Sequence, residues 1–386
     1  MNNIDSILEY LKYSKELTIN PFGLGQASCN NKCKFCIISD RMIGKDISLE
    51  YFKQTTNNTK KWLIKYIDQL PEDITIVFFF VAGELFYMGK EYFDLYKQTA
   101  KELYDIVSKK YSNIKFNIQS NILSSNKDCI NNLIDLVQYI NTLTSNVMFT
   151  TSFDMYSRFN DITFNIWKEN LIYIQNILQK KIMVEMVLLQ PSIEYYLTKE
   201  DDLTKTLDFL LGNQDRFDVS FEDFILNDLI NVELYPKTED LVAFYKKIKN
   251  TFPNHPVLYQ YKTKNKAQDN VMPRGECILI QFSDKPFDDG IIYTDDDLRI
   301  VNENCLGGIL SNLLKYPIYG ILKFIPKNNK GLYCISNKEE ASAYFNKKCG
   351  FCKYKPFCRP KCFIQDLVKY KPQECQLKPL FELFDE

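Results

Sequence analysis

From about residue 17 to residue 224 the chain alternates short apolar runs with longer segments of helical apolar spacing, and this pattern constrains the fold more than any other feature. Leu17-Thr18-Ile19 reads as a first strand. The runs Ile74–Phe80, Ile114–Ile118, Val147–Thr151, Ile182–Leu189 and, more weakly, Phe217–Phe224 follow it. Helical spacing fills the gaps, over 48–69, 90–109, 127–141, 162–179 and 200–212. Strands joined by helical crossovers run parallel, so about six βα units predict an α/β fold, a partial (βα)6 TIM-like barrel. Sites on such a scaffold gather at the carboxyl ends of the strands. There the sequence places Ala82-Gly83-Glu84, Ser120-Asn121 and Ser152-Phe153-Asp154. Ile4, Ile7, Leu8 and Leu11 predict a helix ahead of the barrel, and Leu241, Phe244, Tyr245 and Ile248 predict one at its end. Beyond Pro253 glycine, proline and cysteine rise and helical spacing fades. The expected domains are an N-terminal helix over 1–16, the barrel over 17–255, and a small cysteine-rich domain with a tail over 256–386.

A length of 386 residues suits two or three domains at roughly 150 residues each, or one large domain with an appendage. The net charge of −1 supplies no basic field, so neither nucleic acid nor an anionic membrane is an expected partner. The longest apolar run, Ile74–Ala82, falls well short of the ~20 residues of a membrane span. Met1-Asn2-Asn3-Ile4-Asp5 lacks the features of a secretion signal, and a cytoplasmic location is expected. In that compartment twelve cysteines argue for metal ligation rather than disulfides. Three lie at 29–36, eight follow residue 270, and Cys129 between them reads as a small core residue. The single histidine, His255, sits between Pro253 and Pro256 and reads as a loop position. Histidine-based triads and histidine-rich zinc sites are thereby disfavoured.

The first cysteine group is Cys29-Asn30-Asn31-Lys32-Cys33-Lys34-Phe35-Cys36. A structural zinc or an electron-carrying cluster takes four protein ligands, whereas three thiolates leave one iron of a 4Fe–4S cluster open. A zinc knuckle or three unrelated buried thiols are the bland alternatives. A CxxxCxxC loop with an aromatic before its last cysteine resembles the radical S-adenosylmethionine (SAM) enzymes. The resemblance implies that the open iron chelates the amino and carboxylate groups of SAM. Ala82-Gly83-Glu84 resembles the family's Gly-Gly-Glu segment, which binds the SAM amino group, with alanine for the first glycine. Asn121 and Ser152 fall where the family contacts the SAM ribose and carboxylate. Arg158 resembles the arginine that follows a Ser-x-Asp strand end and holds the carboxylate, and Phe35 is expected beside the adenine.

The second group, Cys349-x2-Cys352-x5-Cys358-x3-Cys362 followed by Cys375, resembles the closing signature of the SPASM extension, which carries two auxiliary iron–sulfur clusters. By that resemblance Cys349, Cys352, Cys358 and Cys375 ligate the distal cluster and Cys362 reaches the nearer one. A zinc ribbon is the alternative. Upstream the chain departs from the pattern: Cys277 and Gly290 fit, but five residues past Gly290 stands Asp295. Asp295 as an oxygen ligand, Cys305, Cys334 or an open iron all remain for the nearer cluster. Asp295, Asp296 and Asp297 sit where a catalytic proton acceptor could be needed, but a solvated acidic turn is the favoured reading of the three.

The resemblance implies SAM and three 4Fe–4S clusters as cofactors. It also implies reductive cleavage of SAM to a 5′-deoxyadenosyl radical in a dry cavity. The expected reaction is hydrogen abstraction from a Cα or Cβ of a peptide or protein. The product is a thioether or C–C crosslink or an oxidised residue. Formylglycine formation of the anaerobic sulfatase-maturase kind, small-molecule oxidation, and a non-catalytic zinc or iron–sulfur scaffold are the rivals. Expected partners are the peptide or protein substrate and an electron donor such as flavodoxin or ferredoxin. With 28 residues ahead of Cys29, leader recognition is expected to need a separate protein or another surface, unless the substrate is a folded protein.

Overall fold

The structure, a computed structural model, describes residues 8, 11, 15–22, 29–31, 33, 49–81, 83–156, 158–223, 232–262, 279–281, 351–354 and 375–385. Seven strands form one sheet: β1 (Glu16–Asn20), β2 (Thr75–Phe80), β3 (Ile114–Gln119), β4 (Val147–Ser152), β5 (Ile182–Leu188), β6 (Phe217–Asp223) and β7 (Leu279–Gln281). Their order is β6-β5-β4-β3-β2-β1-β7. The first six follow the chain, as successive βα units dictate, and the α/β fold expected from the sequence is the fold found. The unforeseen strand is β7, which lies parallel to β1 with Leu279 opposite Thr18. Three residues are too few for a period-two signal to register.

The chain divides into two compact units, cut within β5. The first comprises residues 1–152, 157–184 and 277–303. In it α1 (Leu49–Tyr66), α2 (Lys90–Val107), α3 (Lys127–Leu143) and α4 (Asp161–Leu178) connect the strands. The pairs β1/β2, β2/β3 and β3/β4 are parallel. Residues Ile76, Val77, Phe78 and Phe80 of β2 are all buried, as an apolar run in a covered parallel sheet should be. In α2 the residues Phe93, Tyr96, Ala100, Leu103 and Val107 recur at helical spacing and form its buried stripe. Phe22 meets Phe80, Tyr96 and Phe52 edge-on at 4.8, 5.0 and 5.5 Å, so the chain leaving β1 is held by aromatic packing. The Asn126 side chain caps α3, and Asn160 with Thr163 forms a capping box on α4. Cys129 is buried in α3, as expected of a core thiol.

The second unit comprises residues 153–156, 185–276 and 304–386. Besides β6 it holds α5 (Gln190–Thr198), α6 (Asp202–Gly212), α7 (Thr238–Thr251) and α8 (Leu377–Phe384). Asp201 caps α6 through the Leu203 and Thr204 amides. Phe244 of α7 packs 5.2 Å from both Tyr196 and Phe221. His255 is a loop residue with a structural role. It is 2% exposed, and its Nδ1 accepts from the Val257 N–H at the head of a short 3-10 turn. No described helix is long and apolar enough to cross a membrane.

Candidate SAM and cluster site

The polar residues that the sequence places after β1, β2 and β3 converge within the first unit. Asn20, the last residue of β1, is fully buried; its Nδ2 donates to the Val81 carbonyl at 2.6 Å, and its Oδ1 accepts from Phe22 N–H at 2.9 Å. The Val81 peptide, just before Ala82-Gly83-Glu84, is thereby fixed from below. Gly83 has φ 63°, a left-handed backbone that a side chain resists, which accounts for glycine at this point of the triplet.

Glu84 is 2% exposed. One carboxylate oxygen accepts from Phe86 N–H at 3.1 Å and from Ser120 Oγ at 2.9 Å, and the other accepts from Asn121 N–H. Burial pushes its carboxyl up to about 7, and the Asn121, Ser120 and Phe86 donors and the Arg158 charge pull against that without winning. Ser120 Oγ also accepts from Ile122 N–H at 3.0 Å, where Ile122 has φ 49°. Asn170 of α4 holds this turn from behind, donating through Nδ2 to the Ile122 and Ser124 carbonyls, each at 2.8 Å.

The cysteine loop meets this group. Asn121 Nδ2 donates to Asn30 Oδ1 at 2.7 Å and lies 3.9 Å from Cys29 Sγ. Asn30 Nδ2 donates to the Leu123 carbonyl at 3.0 Å. The Asn31 amide N–H points at Cys29 Sγ at 3.4 Å, while its side-chain Nδ2 reaches Cys33 Sγ at 3.5 Å and the Arg158 carbonyl at 3.3 Å. Cys33 is buried and Cys29 half-buried. Cys29, Cys33, Gly83, Glu84, Asn121 and Arg158 are thus linked into one neighbourhood. Ser152 ends β4 and is half-buried. Phe35, Cys36 and Ala82 lie outside the described residues.

Two sulfurs faced by neutral N–H donors, beside a buried carboxylate, form a suitable setting for an anionic iron–sulfur cluster and an amino-acid ligand. In this respect the residues present fit the group that the sequence implies. Among the described residues no three cysteine, histidine or acidic side chains assemble as a metal site. Sequence reasoning missed Asn20, Asn30, Asn31 and Asn170; only the position of Asn30 and Asn31 inside the cysteine loop could have signalled any of them.

Of the second cysteine group, Cys352 and Cys375 are described, the first half-buried and the second exposed. Two residues after Cys352, the buried Tyr354 stacks on Phe381 of α8, with centroids 5.0 Å apart and planes at 17°. One residue after Cys375, the buried Gln376 donates to the Pro236 carbonyl, and Lys249 of α7 donates to the Leu383 carbonyl at 2.6 Å. Both cysteines therefore flank the docking of α8. Cys277, Asp295, Cys305, Cys334, Cys349, Cys358 and Cys362 lie outside the described residues.

No protein-family model matches the chain, and no curated protein sequence does. Solved structures do. Native anSMEcpe with bound AdoMet, an anaerobic sulfatase-maturating enzyme of the radical SAM SPASM kind, aligns with a TM-score of 0.55 at 15% identity, covering 95% of this chain and 96% of that one. Its hexahistidine-tagged form, also with bound AdoMet, aligns at 0.53 and 13% identity over the same shares. Identity at that level speaks for architecture. The chain has the fold of a radical SAM enzyme.

Proposed function

We propose that this chain cleaves SAM reductively and uses the resulting carbon radical to abstract hydrogen from a peptide or protein residue. The supporting observation is the hydrogen-bonded group joining Glu84, Asn121, Cys29 and, through Asn31, Cys33 at the carboxyl ends of β2 and β3. A 4Fe–4S cluster bound there would supply the single electron that breaks the SAM C–S bond. Cys29, Cys33 and Cys36 would hold it. Glu84 and the backbone at Gly83 would seat the SAM amino group, since a buried carboxylate with three donors in place still has lone pairs to offer. Asn121 and Ser152 would take the ribose and carboxylate, and Arg158 would balance the negative charge gathered there. The carboxyl-terminal cysteines, with Cys277 and either Cys305 or Asp295, would carry two auxiliary clusters that accept the substrate electron or grip the substrate.

Two outcomes of hydrogen abstraction compete. A thioether or C–C crosslink in a ribosomally made peptide is the first. Oxidation of a serine or cysteine to formylglycine is the second, and the end-to-end likeness to a sulfatase-maturating enzyme favours considering it. A low-potential donor such as flavodoxin or ferredoxin would deliver the electron.

Anaerobic reconstitution tests the reading. The expected protein is brown, binds about twelve irons as three four-iron clusters, and releases 5′-deoxyadenosine from SAM with dithionite. Cys29→Ala should bring that release to background and remove about a third of the iron. Colourless protein that holds zinc would overturn the proposal. Incubation with a cysteine-rich peptide or with a sulfatase-type serine or cysteine peptide separates the two outcomes. A loss of two hydrogens with a bond between residues marks the crosslink, and an aldehyde marks formylglycine.

A further inference from the structure

We infer that Asn31 sets the reduction potential of the cluster held by the amino-terminal cysteine loop, by aiming its side-chain N–H at a ligating sulfur; this rests on the radical SAM reading above. Asn31 is the residue through which the loop touches both of its described sulfurs. Its peptide N–H faces Cys29 Sγ at 3.4 Å, and its Nδ2 faces Cys33 Sγ at 3.5 Å. The same amide group donates to the Arg158 carbonyl at 3.3 Å, across 127 positions of sequence. A carboxamide nitrogen carries two hydrogens in one plane. Fixing one on a backbone carbonyl aims the other, so the Arg158 peptide orients the donor to Cys33.

The peptide N–H would be present with any residue but proline. The side-chain N–H is specific to this residue. Hydrogen bonds to cluster sulfurs stabilise the more negative, reduced state and so raise the potential. The donor is neutral and adds no charge near Glu84 and Arg158. Asn121 Nδ2 offers a longer approach to Cys29 Sγ, 3.9 Å against the 3.5 Å from Asn31 Nδ2 to Cys33 Sγ. Asn31 is therefore the stronger lever. The step it governs is transfer of one electron from a low-potential flavin or iron–sulfur protein, which is oxidised, to the four-iron cluster, which passes from the 2+ to the 1+ level; no proton leaves Asn31.

The test is an EPR-monitored redox titration of the reconstituted full chain. It follows the signal that changes when SAM is added, so that auxiliary clusters do not intrude. Asn31→Leu keeps the branching and removes the donor. At a fixed potential its reduced-to-oxidised ratio should fall about three- to tenfold, tenfold being 59 mV for one electron. Asn31→Gln, which retains an amide, should recover part of the shift. An Asn31→Leu protein with full iron and an unchanged midpoint overturns the inference, as does one that loses iron while its remaining SAM-responsive signal keeps the original midpoint. If Asn31→Leu binds no cluster, the decision passes to an Asn121→Ser chain labelled with 15N only in asparagine side chains. Hyperfine coupling from that nitrogen to the reduced cluster supports the inference, and its absence overturns it. An unsubstituted protein with no SAM-responsive signal would instead sink the radical SAM reading itself.

Discussion

The two cysteine regions are held in place by different physics. At the amino-terminal loop the described sulfurs are met by amide N–H groups, and those amides are tied to the strand ends through Asn30, Asn121 and Arg158. At the carboxyl-terminal group the described cysteines flank an apolar anchor, the stack of Tyr354 on Phe381 and the docking of α8. The first arrangement places dipoles next to sulfur, where they alter how much negative charge a cluster tolerates. The second fixes position and says little to the electrons. On the proposed reading, in which one cluster would do the radical chemistry and others would relay electrons, these two modes of support would serve different ends.

The comparison breaks most readily at the aromatic anchor. Tyr354→Ala removes a buried ring, and a loss of roughly 3–5 kcal/mol is expected for the second unit. Auxiliary iron should fall with it while the SAM-responsive EPR signal survives. Melting curves and iron counts on the same preparation check both halves, and equal loss at all clusters would show that the regions are not separately supported.

Glu84 sharpens the polar side. Its pKa is raised from 4.5 to about 7, so the folded protein tolerates the neutral form better than the ion. The associated stability is complete below about pH 4.5 and is lost as pH rises through 7. Over that window the cost is about 3 kcal/mol, an order-of-magnitude figure from the shift. Without SAM, the melting temperature of the unsubstituted chain should therefore fall across pH 5–8, and that of Glu84→Gln should be flat; parallel slopes would refute the assignment. An amino N–H binds best to the ionised carboxylate. SAM affinity, measured by equilibrium dialysis, should accordingly rise by up to about tenfold per pH unit below 7 and level off above it.

The smallest effect is expected at Asn170. Asn170→Leu leaves the Ile122 and Ser124 carbonyls without their donor, at about 1–3 kcal/mol. The loosened turn should raise the KM for SAM more than it lowers kcat, because Asn121 is displaced rather than removed. A kinetic series over SAM concentration tests this.

Much of this was legible in the sequence because it depends on repetition. β2 is an apolar run and β3 an alternation of apolar and polar residues, both flanked by long amphipathic helices, and Glu84 and Asn121 follow them at positions that any parallel βα scaffold turns toward its working face. Elements without repetition were not legible. α5 buries Gln190 and Ser192 beside Ile193 and Tyr196, so its inner face has no apolar period to detect. β7 has three residues, and what makes it a strand is the open edge of β1 rather than its own sequence. Asn31 escaped for a related reason: an asparagine between cysteines carries no spacing rule, and its partner Arg158 is brought to it only by folding.

The isoleucine at φ 49° after β3 has a consequence for kinetics. A β-branched residue in a left-handed conformation costs about 1–3 kcal/mol and persists where its surroundings over-determine it. Here the Ser120 hydroxyl grips its amide and Asn170 its carbonyl. The turn is thus cocked during folding rather than by an arriving molecule, so on the proposed reading capture of the sulfonium would not wait for this segment to rearrange.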